Sequence, residues 1–191
     1  MKSFYLGILL FYSFNIIGQT WSDVGGGVNN NVRCLYNDTA NNLLYVGGEF
    51  IKAGGDTVNY ISSWNGSQWT VLDSGLSFQV SAMAVFQNEL IVGGQFALAG
   101  TKTVNYIAKW NGIKWDSLGK GMNNIVNCLE VFNGELYAGG NFTMAGDTLA
   151  NQVARWDGMK WKPLGLGLSG GAVTSALSFK IFNNEFFIGG Q

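Results

Sequence analysis

Short apolar-rich stretches recur along the chain and are separated by residues that favour turns. Between residues 76 and 119 these stretches are 80–86, 89–96, 105–110 and 114–118. Turn-forming pairs separate the first two stretches and the last two, and a longer loop with a glycine separates the middle two. The last pair is Asn111-Gly112, and Asn-Gly between apolar stretches predicts a hairpin whose two turn residues both adopt positive φ. The unit is therefore predicted to contain four short strands.

Three motifs recur with a period of 46 residues. The first is Gly-Gly followed by a polar residue, at Gly47-Gly48, Gly93-Gly94, Gly139-Gly140 and, after a longer interval, Gly189-Gly190. The second is Trp-[Asn/Asp]-Gly-x-x-Trp, at Trp64 and Trp69, Trp110 and Trp115, and Trp156 and Trp161. The third, Trp-x-x-Leu-x-x-Gly-Leu/Met, follows each second tryptophan, and a related copy with Val in two positions begins at Trp21. These motifs use all seven tryptophans and establish an internal repeat.

Four short antiparallel strands per 46-residue unit predict an all-β fold, the β-propeller, built of four-stranded blades. Blades pack face to face, which explains why stretches such as Leu43-Leu44-Tyr45-Val46 are apolar at successive positions. Helical repeats of similar period would require two or three helices per unit, and 28 glycines argue against them. We assign the units to residues 29–73, 76–119, 122–165 and, as a partial unit, 168–191.

The repeat resembles the kelch-like propellers of secreted bacterial proteins. The resemblance rests on Leu-Tyr-Ala-Gly-Gly-Asn-Phe-Thr-Met-Ala-Gly at 136–146 and on Val-Ala-Arg-Trp-Asp-Gly at 153–158. It covers the whole chain after residue 19. It implies a propeller that holds protein partners or glycans, since only a minority of such propellers are enzymes.

Residues 1–19 have the pattern of a secretory signal peptide. A lone Lys2 precedes a 14-residue apolar run, 4–17, and Gly18-Gln19-Thr20 is a small, polar exit. The run is shorter than the ~20 residues that span a bilayer, so a retained anchor is the weaker alternative. We therefore expect cleavage after Gln19 and a secreted or cell-surface protein whose propeller occupies residues 20–191.

Composition excludes several chemistries. The chain has no histidine, which excludes His-dependent triads and His-ligated zinc. Its net charge is −1, with 11 basic and 12 acidic residues, so no nucleic-acid-binding face is expected. The carboxylates form no recognisable metal loop or glycosidase pair. We therefore expect no cofactor, no bound metal and no catalytic residues.

Two cysteines occupy the same repeat position, Cys34 in the first unit and Cys128 in the third. The unit between them should hold them farther apart than the about 7 Å between Cα atoms that a disulfide tolerates. We expect both to be small core residues without a disulfide.

Propeller topology places the loops between strands two and three, and those between consecutive units, at one mouth. Rigid scaffolds usually present their binding residues on such loops. The candidate ligand-binding residues are Asn29, Asn30, Glu49, Lys52, Asp56, Gln95, Lys102, Asn123, Asn141 and Asp147. The predicted function is binding of protein or polysaccharide at this mouth, and the alternatives are a non-binding spacer or, less favoured, a polysaccharide hydrolase or lyase.

The fourth unit ends after its second strand, and residues 20–28 form a spare outer strand. Such a strand usually closes a propeller by pairing with the last blade. Because the fourth unit lacks its third strand, we expect an open arc that belongs to a larger propeller.

Overall fold

The computed structural model describes residues 23–168 and 175–191. The predicted signal peptide and Trp21 lie outside these residues. The described part is all β, and it contains no helix that could span a membrane.

Within the described residues, twenty strands form three complete blades and part of a fourth. Blade one contains β1 (Val32–Asp38), β2 (Leu43–Gly48), β3 (Lys52–Ala53), β4 (Asp56–Thr57), β5 (Ile61–Trp64) and β6 (Trp69–Val71). Blade two contains β7 (Val80–Phe86), β8 (Glu89–Gly94), β9 (Leu98–Ala99), β10 (Lys102–Thr103), β11 (Ile107–Trp110) and β12 (Trp115–Ser117). Blade three contains β13 (Val126–Phe132), β14 (Glu135–Gly140), β15 (Met144–Ala145), β16 (Thr148–Leu149), β17 (Val153–Trp156) and β18 (Trp161–Pro163). Blade four contains β19 (Ala176–Phe182) and β20 (Glu185–Gly190).

Each complete blade is a four-stranded antiparallel sheet with its strands in chain order. The orders are β1-β2-β5-β6, β7-β8-β11-β12 and β13-β14-β17-β18, and β19 pairs with β20 alone among the described strands. This arrangement confirms the predicted fold class, three blades of the propeller and a partial fourth. Of the predicted spare strand only residues 23–28 are described, and they form a turn followed by a single bridge from Val28 to Ala53.

Antiparallel pairing gives each blade two distinct ends. We call the end where the first strand begins and the second strand finishes the upper end; Val32 pairs with Gly48 there. The lower end carries the turns between the first two strands and between the last two. In blade two these are Gln87-Asn88 and residues 111–114.

The structure corrects the predicted turn type at the Trp-x-Gly hairpins. Trp110 pairs with Trp115, so the connection has four residues. Within it Gly112 has positive φ (94°) while Asn111 does not, and the Asn111 side-chain oxygen accepts hydrogen bonds from the backbone of Ile113 and Lys114. Asn-Gly works here as an Asx turn. The two-residue turn with both φ positive occurs instead at Asn133-Gly134, between the first two strands of blade three.

The loop predicted between strands two and three contains a small hairpin in every complete blade. In blade two it is β9 with β10, and Ala99 makes an isolated bridge with Leu76 on the connection that precedes the blade's first strand. Ala53 and Ala145 make the equivalent bridges in the other blades. The hairpin is thus attached to the connection that enters its blade.

The first glycine of the Gly-Gly pair permits close packing between blades in the three complete blades. A Cβ on Gly93 would lie 2.5 Å from the Cγ1 atom of Val126 in blade three. Likewise, a Cβ on Gly47 would lie 2.6 Å from the Cγ1 atom of Val80 in blade two. Real Cβ atoms do not approach so closely, so glycine is required at these inner positions for steric reasons.

The paired tryptophans lie on one face of each complete blade. Their ring centroids are 5.3, 5.0 and 5.3 Å apart in blades one, two and three. Trp115 Nε1 donates a 3.0 Å hydrogen bond to the carbonyl of Leu72, which lies at the end of blade one. Trp161 bonds to Leu118 in the same way at 3.1 Å. The second tryptophan of a blade therefore also joins it to the preceding blade.

Candidate functional site

The inner part of the upper end carries a polar cluster in blade one. Arg33 forms a salt bridge with Glu49, and the Asn31 amide donates a 2.9 Å hydrogen bond to the same carboxylate. The hydrogen bonds from Arg33 and Asn31 hold the pKa of Glu49 below its ordinary value. Glu49 is therefore an ionised, internally paired group at neutral pH.

Blades two and three carry pairs of neutral amides in place of this ion pair. The Gln79 amide donates to Gln95 at 3.3 Å. In blade three, Asn127 donates to Asn141 at 2.9 Å and also to the Ser175 hydroxyl of blade four at 2.8 Å. The predicted residues Glu49, Gln95 and Asn141 therefore share one end of the molecule, each with a partner of its own.

Three of the predicted binding residues accept hydrogen bonds from the backbone of the chain itself. The Asn29 side-chain oxygen accepts hydrogen bonds from the backbone of Ile51 and Lys52, at 3.0 and 2.9 Å. Asn123 does the same for Thr143 and Met144, both at 2.9 Å. In blade two Ser77 takes this role with its hydroxyl. These side chains fix the start of each upper-end hairpin. Asn30, next to Asn29, accepts from the backbone of Asn31 at 2.8 Å.

The remaining predicted residues lie farther out on the upper-end hairpins. Lys102 forms an ion pair with Asp116 at 3.2 Å, and Asp147 pairs with Lys120 at 2.8 Å. Lys102 lines a groove of about 270 Å³ beside Trp115. Asp147 lines an equivalent groove of about 300 Å³ in blade three. Lys52 and Asp56 are exposed on the hairpin of blade one. The same grooves also contain residues of the lower-end turns, Lys114 in blade two and Met159 in blade three. The predicted residues are therefore divided between an inner cluster at the upper end and outer hairpins that reach toward the lower-end turns.

A second set of structural side chains was missed by the sequence interpretation. Asn59, Asn105 and Asn151 each donate from the side-chain amide to a backbone carbonyl of the connection that leaves their blade, at 2.9, 2.8 and 2.8 Å. They are 46 residues apart, so the repeat period alone could have identified them. Together with Asn29, Ser77 and Asn123 they hold both sides of every upper-end loop.

Side chains exposed on this framework differ from blade to blade. One hairpin position carries the exposed Lys52 and Leu98 in blades one and two and the half-buried Met144 in blade three. Asn29, Ser77 and Asn123 occupy one repeat position, and the residues that follow them are Asn30, Phe78 and Asn124. Phe78 and Leu98 are exposed at 45% and 44% despite their apolar character. A repeated backbone therefore presents a non-repeating surface.

The two cysteines are free thiols on β1 and β13. Cys128 is buried as predicted, whereas Cys34 is only partly buried. Burial raises the pKa of each thiol to about 12. Among the described residues no group of three or more cysteine or carboxylate side chains is arranged to hold a metal ion.

Comparison with known proteins places the chain in a propeller family. No curated protein matches it at a significant level. A family model described as the Rax2 C-terminal beta propeller domain matches residues 13–186, which is most of the chain. A propeller of this kind is a binding or structural module. The chain therefore belongs to the Rax2 C-terminal beta propeller domain family.

Proposed function

We propose that this chain is a secreted or surface-exposed, kelch-like binding module without enzymatic activity, and that it holds a protein partner at the upper end of its blades. The observation that carries the proposal is the contrast between the repeated side chains that fix the upper-end loops and the varied side chains exposed on them. A rigid loop framework with variable exposed residues is how scaffold proteins separate folding from recognition.

The exposed residues at this end favour a protein partner. Ile51, Phe78 and Leu98 are apolar and 44–45% exposed, and they stand among amides and a few charges. Such apolar side chains in a polar setting are what protein interfaces bury at their centres. Polysaccharide is the second candidate, because amides such as Asn30 and Asn124 suit sugar hydroxyls. A spacer without a ligand and a polysaccharide hydrolase or lyase are weaker alternatives.

Binding should be tested with purified chain against immobilised collagen, fibronectin and laminin, and against chitin, cellulose, mannan and xylan. The test variant is Phe78→Ala with Leu98→Ala, both at the upper end of blade two. The control is Ile113→Ala, which changes an 83% exposed apolar residue at the lower end of the same blade. We expect at least tenfold weaker protein binding for the double variant and unchanged binding for the control.

Other outcomes would redirect the proposal. Binding to a polysaccharide alone, lost in the double variant, would favour the second candidate. Absence of binding across both panels would favour a spacer, and release of sugar fragments would establish an enzyme. Secretion is tested separately: the intact mass of the exported protein should correspond to a chain that begins near Thr20.

A further inference from the structure

A cleft of about 860 Å³ opens between blades one and two at the lower end, opposite the proposed protein-binding end. Its volume is in the range of sites that bind small molecules and oligosaccharides. The residues that line it on the blade-one side are Asp38, Ala40, Asn41, Leu43, Tyr45, Ser63, Thr70, Val71 and Leu72. Those on the blade-two side are Val85, Asn88, Leu90, Trp110, Asn111 and Gly112.

The cleft exists because blade one departs from the repeat at two positions. Strand pairing makes Leu43 of blade one equivalent to Glu89 of blade two, and Ser63 equivalent to Lys109. In blade two Lys109 and Glu89 form a 2.8 Å ion pair. In blade one a serine replaces the long lysine side chain, and no such pair can form.

A third substitution enlarges the space. Asp38 is the register equivalent of Phe86 in blade two and of Phe132 in blade three. Phe86 is buried in a core cluster shared with blade three. Phe132 packs on Phe186 of blade four, with ring centroids 5.7 Å apart. The other two interfaces are therefore closed by an aromatic ring at the position where blade one has a short carboxylate.

The lining has the mixed chemistry that a sugar requires. A pyranose presents hydroxyl groups at its edge and an apolar C–H face that packs on aromatic rings. Trp110 and Tyr45 line the cleft with the edges of their rings, since each residue is 8% exposed. Asp38 supplies carboxylate acceptors, which already receive two hydrogen bonds from Asn41, at 3.1 Å and 2.8 Å. The Asn111 oxygen is occupied by backbone N–H groups, so its amide hydrogens are what it offers a ligand.

Charge selects among sugars. Among the described residues that line the cleft, Asp38 alone carries a charge, and that charge is negative. A uronic acid or a sulfated sugar would therefore be repelled. Burial, together with the charge of Asp38, raises the pKa of Tyr45, which keeps its hydroxyl protonated near neutral pH and able to donate. We propose that this cleft is a second binding site, and that it binds one or two rings of a neutral oligosaccharide.

The test closes the cleft by introducing the ion pair that blade two has at the equivalent positions. The variant Leu43→Glu with Ser63→Lys places a long ion pair where the equivalent pair of blade two lies. A second variant, Asn88→Gly, removes an exposed amide at the rim, suits the positive φ (62°) of this turn position and does not depend on repacking. The control is Met159→Ala, which changes an 87% exposed side chain on the lower end of blade three.

Cellohexaose, maltohexaose, xylohexaose, mannohexaose and chitohexaose are titrated one at a time into isotopically labelled full chain. Amide NMR spectra give both the affinity and the location. We expect at least one of these sugars to shift the Gly112 amide and the Asn88 side chain. The closed variant should bind that sugar at least tenfold more weakly, with an unchanged melting temperature or a higher one. Asn88→Gly should weaken binding about threefold, while Met159→Ala and the upper-end double variant should bind as the wild type does.

Four outcomes would overturn this proposal. They are no shift with any neutral hexasaccharide, shifts that persist in the closed variant, equal or tighter binding of hexagalacturonate, and preferential binding of an oligolysine peptide at Gly112. The last would assign the cleft to a basic peptide. Because the upper-end variant leaves this site intact, failure here and failure of the proposed protein binding are distinguishable.

Discussion

The second tryptophan of a blade combines apolar burial with a hydrogen bond to the preceding blade. Trp115 is 5% exposed and donates to the Leu72 carbonyl. Trp115→Phe keeps an aromatic ring and removes the donor, and we expect a loss of about 1–3 kcal/mol because a buried carbonyl loses its partner. Trp115→Ala should cost about 3–5 kcal/mol. Urea unfolding followed by circular dichroism measures both values.

Trp69 provides the matched control for this prediction. It makes the equivalent 3.0 Å bond to the Val24 carbonyl, but in an exposed setting. Water can replace the lost donor there, so Trp69→Phe should cost less than Trp115→Phe. Equal costs for the two substitutions would show that the buried hydrogen bond adds nothing.

The buried thiols give a prediction about reactivity and pH. Burial raises the pKa of Cys34 and of Cys128 to about 12, from an ordinary value of about 8.5. The thiolate is the reactive form, so both cysteines should react with iodoacetamide at pH 8 much more slowly in folded than in urea-unfolded protein. Mass spectrometry of labelled peptides resolves the two sites, and labelling of native Cys128 at the unfolded rate would contradict the prediction.

The sign of the pH effect follows from the same pKa values. Below about pH 8.5 the thiols are protonated in both states, so they contribute no pH dependence. Between about 8.5 and 12 the unfolded chain ionises its thiols while the folded chain does not. The contribution of the cysteines to stability therefore falls as the pH rises through this window, and Cys128→Ala should reduce that slope.

At the residue scale, the sequence identified the side chains that carry the repeat but not all of their roles. The repeated tryptophan pairs share a face in each complete blade. The asparagines Asn29 and Asn123 were interpreted as ligand-binding, yet their oxygens accept backbone hydrogen bonds. A polar residue in a loop has the same sequence signature in both roles, because the partner lies about 20 positions away.

Among the secondary-structure elements, the Gly-Gly strands determine how closely two blades approach. A Cβ on Gly93 would lie 2.5 Å from Val126 Cγ1. We expect Gly93→Ala to destabilise the chain by about 1–3 kcal/mol, as overpacked cores do. Val126→Ala removes the clashing Cγ1 methyl group, so the double variant should be more stable than the sum of the single effects predicts. Urea unfolding of the wild type, the two single variants and the double variant gives the double-mutant cycle.

Gly94 is the control for that cycle. A Cβ there would lie 2.2 Å from the backbone oxygen of Gln79, which no side-chain truncation can remove. Gly94→Ala combined with Val126→Ala should therefore show no rescue. Rescue in both cycles would mean that Val126→Ala loosens the blade generally.

The hairpin between the third and fourth strands of a blade depends on one side-chain oxygen. Asp157 accepts hydrogen bonds from the backbone of Met159 and Lys160, both at 2.9 Å. Lys162 and these N–H groups lower the pKa of Asp157, which remains ionised through neutral pH. Asp157→Ala should destabilise by about 1 kcal/mol, in the range of a lost helix cap. Asp157→Asn should keep most of the stability, because blades one and two use asparagine here, and thermal unfolding of both variants distinguishes the two effects.

Some elements could not have been found from the sequence pattern. The hairpin strands β3, β9 and β15 are two residues long, which is too short for any apolar alternation. Their pairing depends on bridges to the connection that enters the blade, such as Leu76 to Ala99. The four main strands were found because each has several residues, a repeat period and turn residues at both ends.

For the whole molecule, the cleft between blades one and two shows what only assembly reveals. Asp38, Leu43 and Ser63 are unremarkable polar and apolar residues in the sequence. Strand register places them beside one another and opposite blade two. Their comparison with blades two and three then shows which side chains are missing. A sequence repeat predicts the shared architecture, whereas a site created by departures from the repeat requires the register.

Local stability should decrease from blade two toward blade four. β7 packs against both β1 and β13. By contrast, Phe182 and Phe187 of blade four are 63% and 48% exposed, and β20 pairs with β19 alone among the described strands. A backbone amide exchanges when its strand unfolds locally, and the free energy of that opening depends on packing and strand pairing. In a stack of repeats, each repeat is stabilised by its contacts with the neighbouring repeats. Hydrogen exchange by mass spectrometry should show the slowest exchange in β7 and β8 and the fastest in β19 and β20.

The chain contains its own control for that gradient. β14 and β20 have similar sequences, Glu-Leu-Tyr-Ala-Gly-Gly and Glu-Phe-Phe-Ile-Gly-Gly, so their unprotected exchange rates are similar. β14 has strands on both sides, β13 and β17, while β20 has one described neighbour. Its amides should therefore exchange at least tenfold faster than those of β14. Equal protection would mean that β20 is paired on its other side in solution, by another part of this chain or by a second copy, and size-exclusion chromatography with light scattering separates those two explanations.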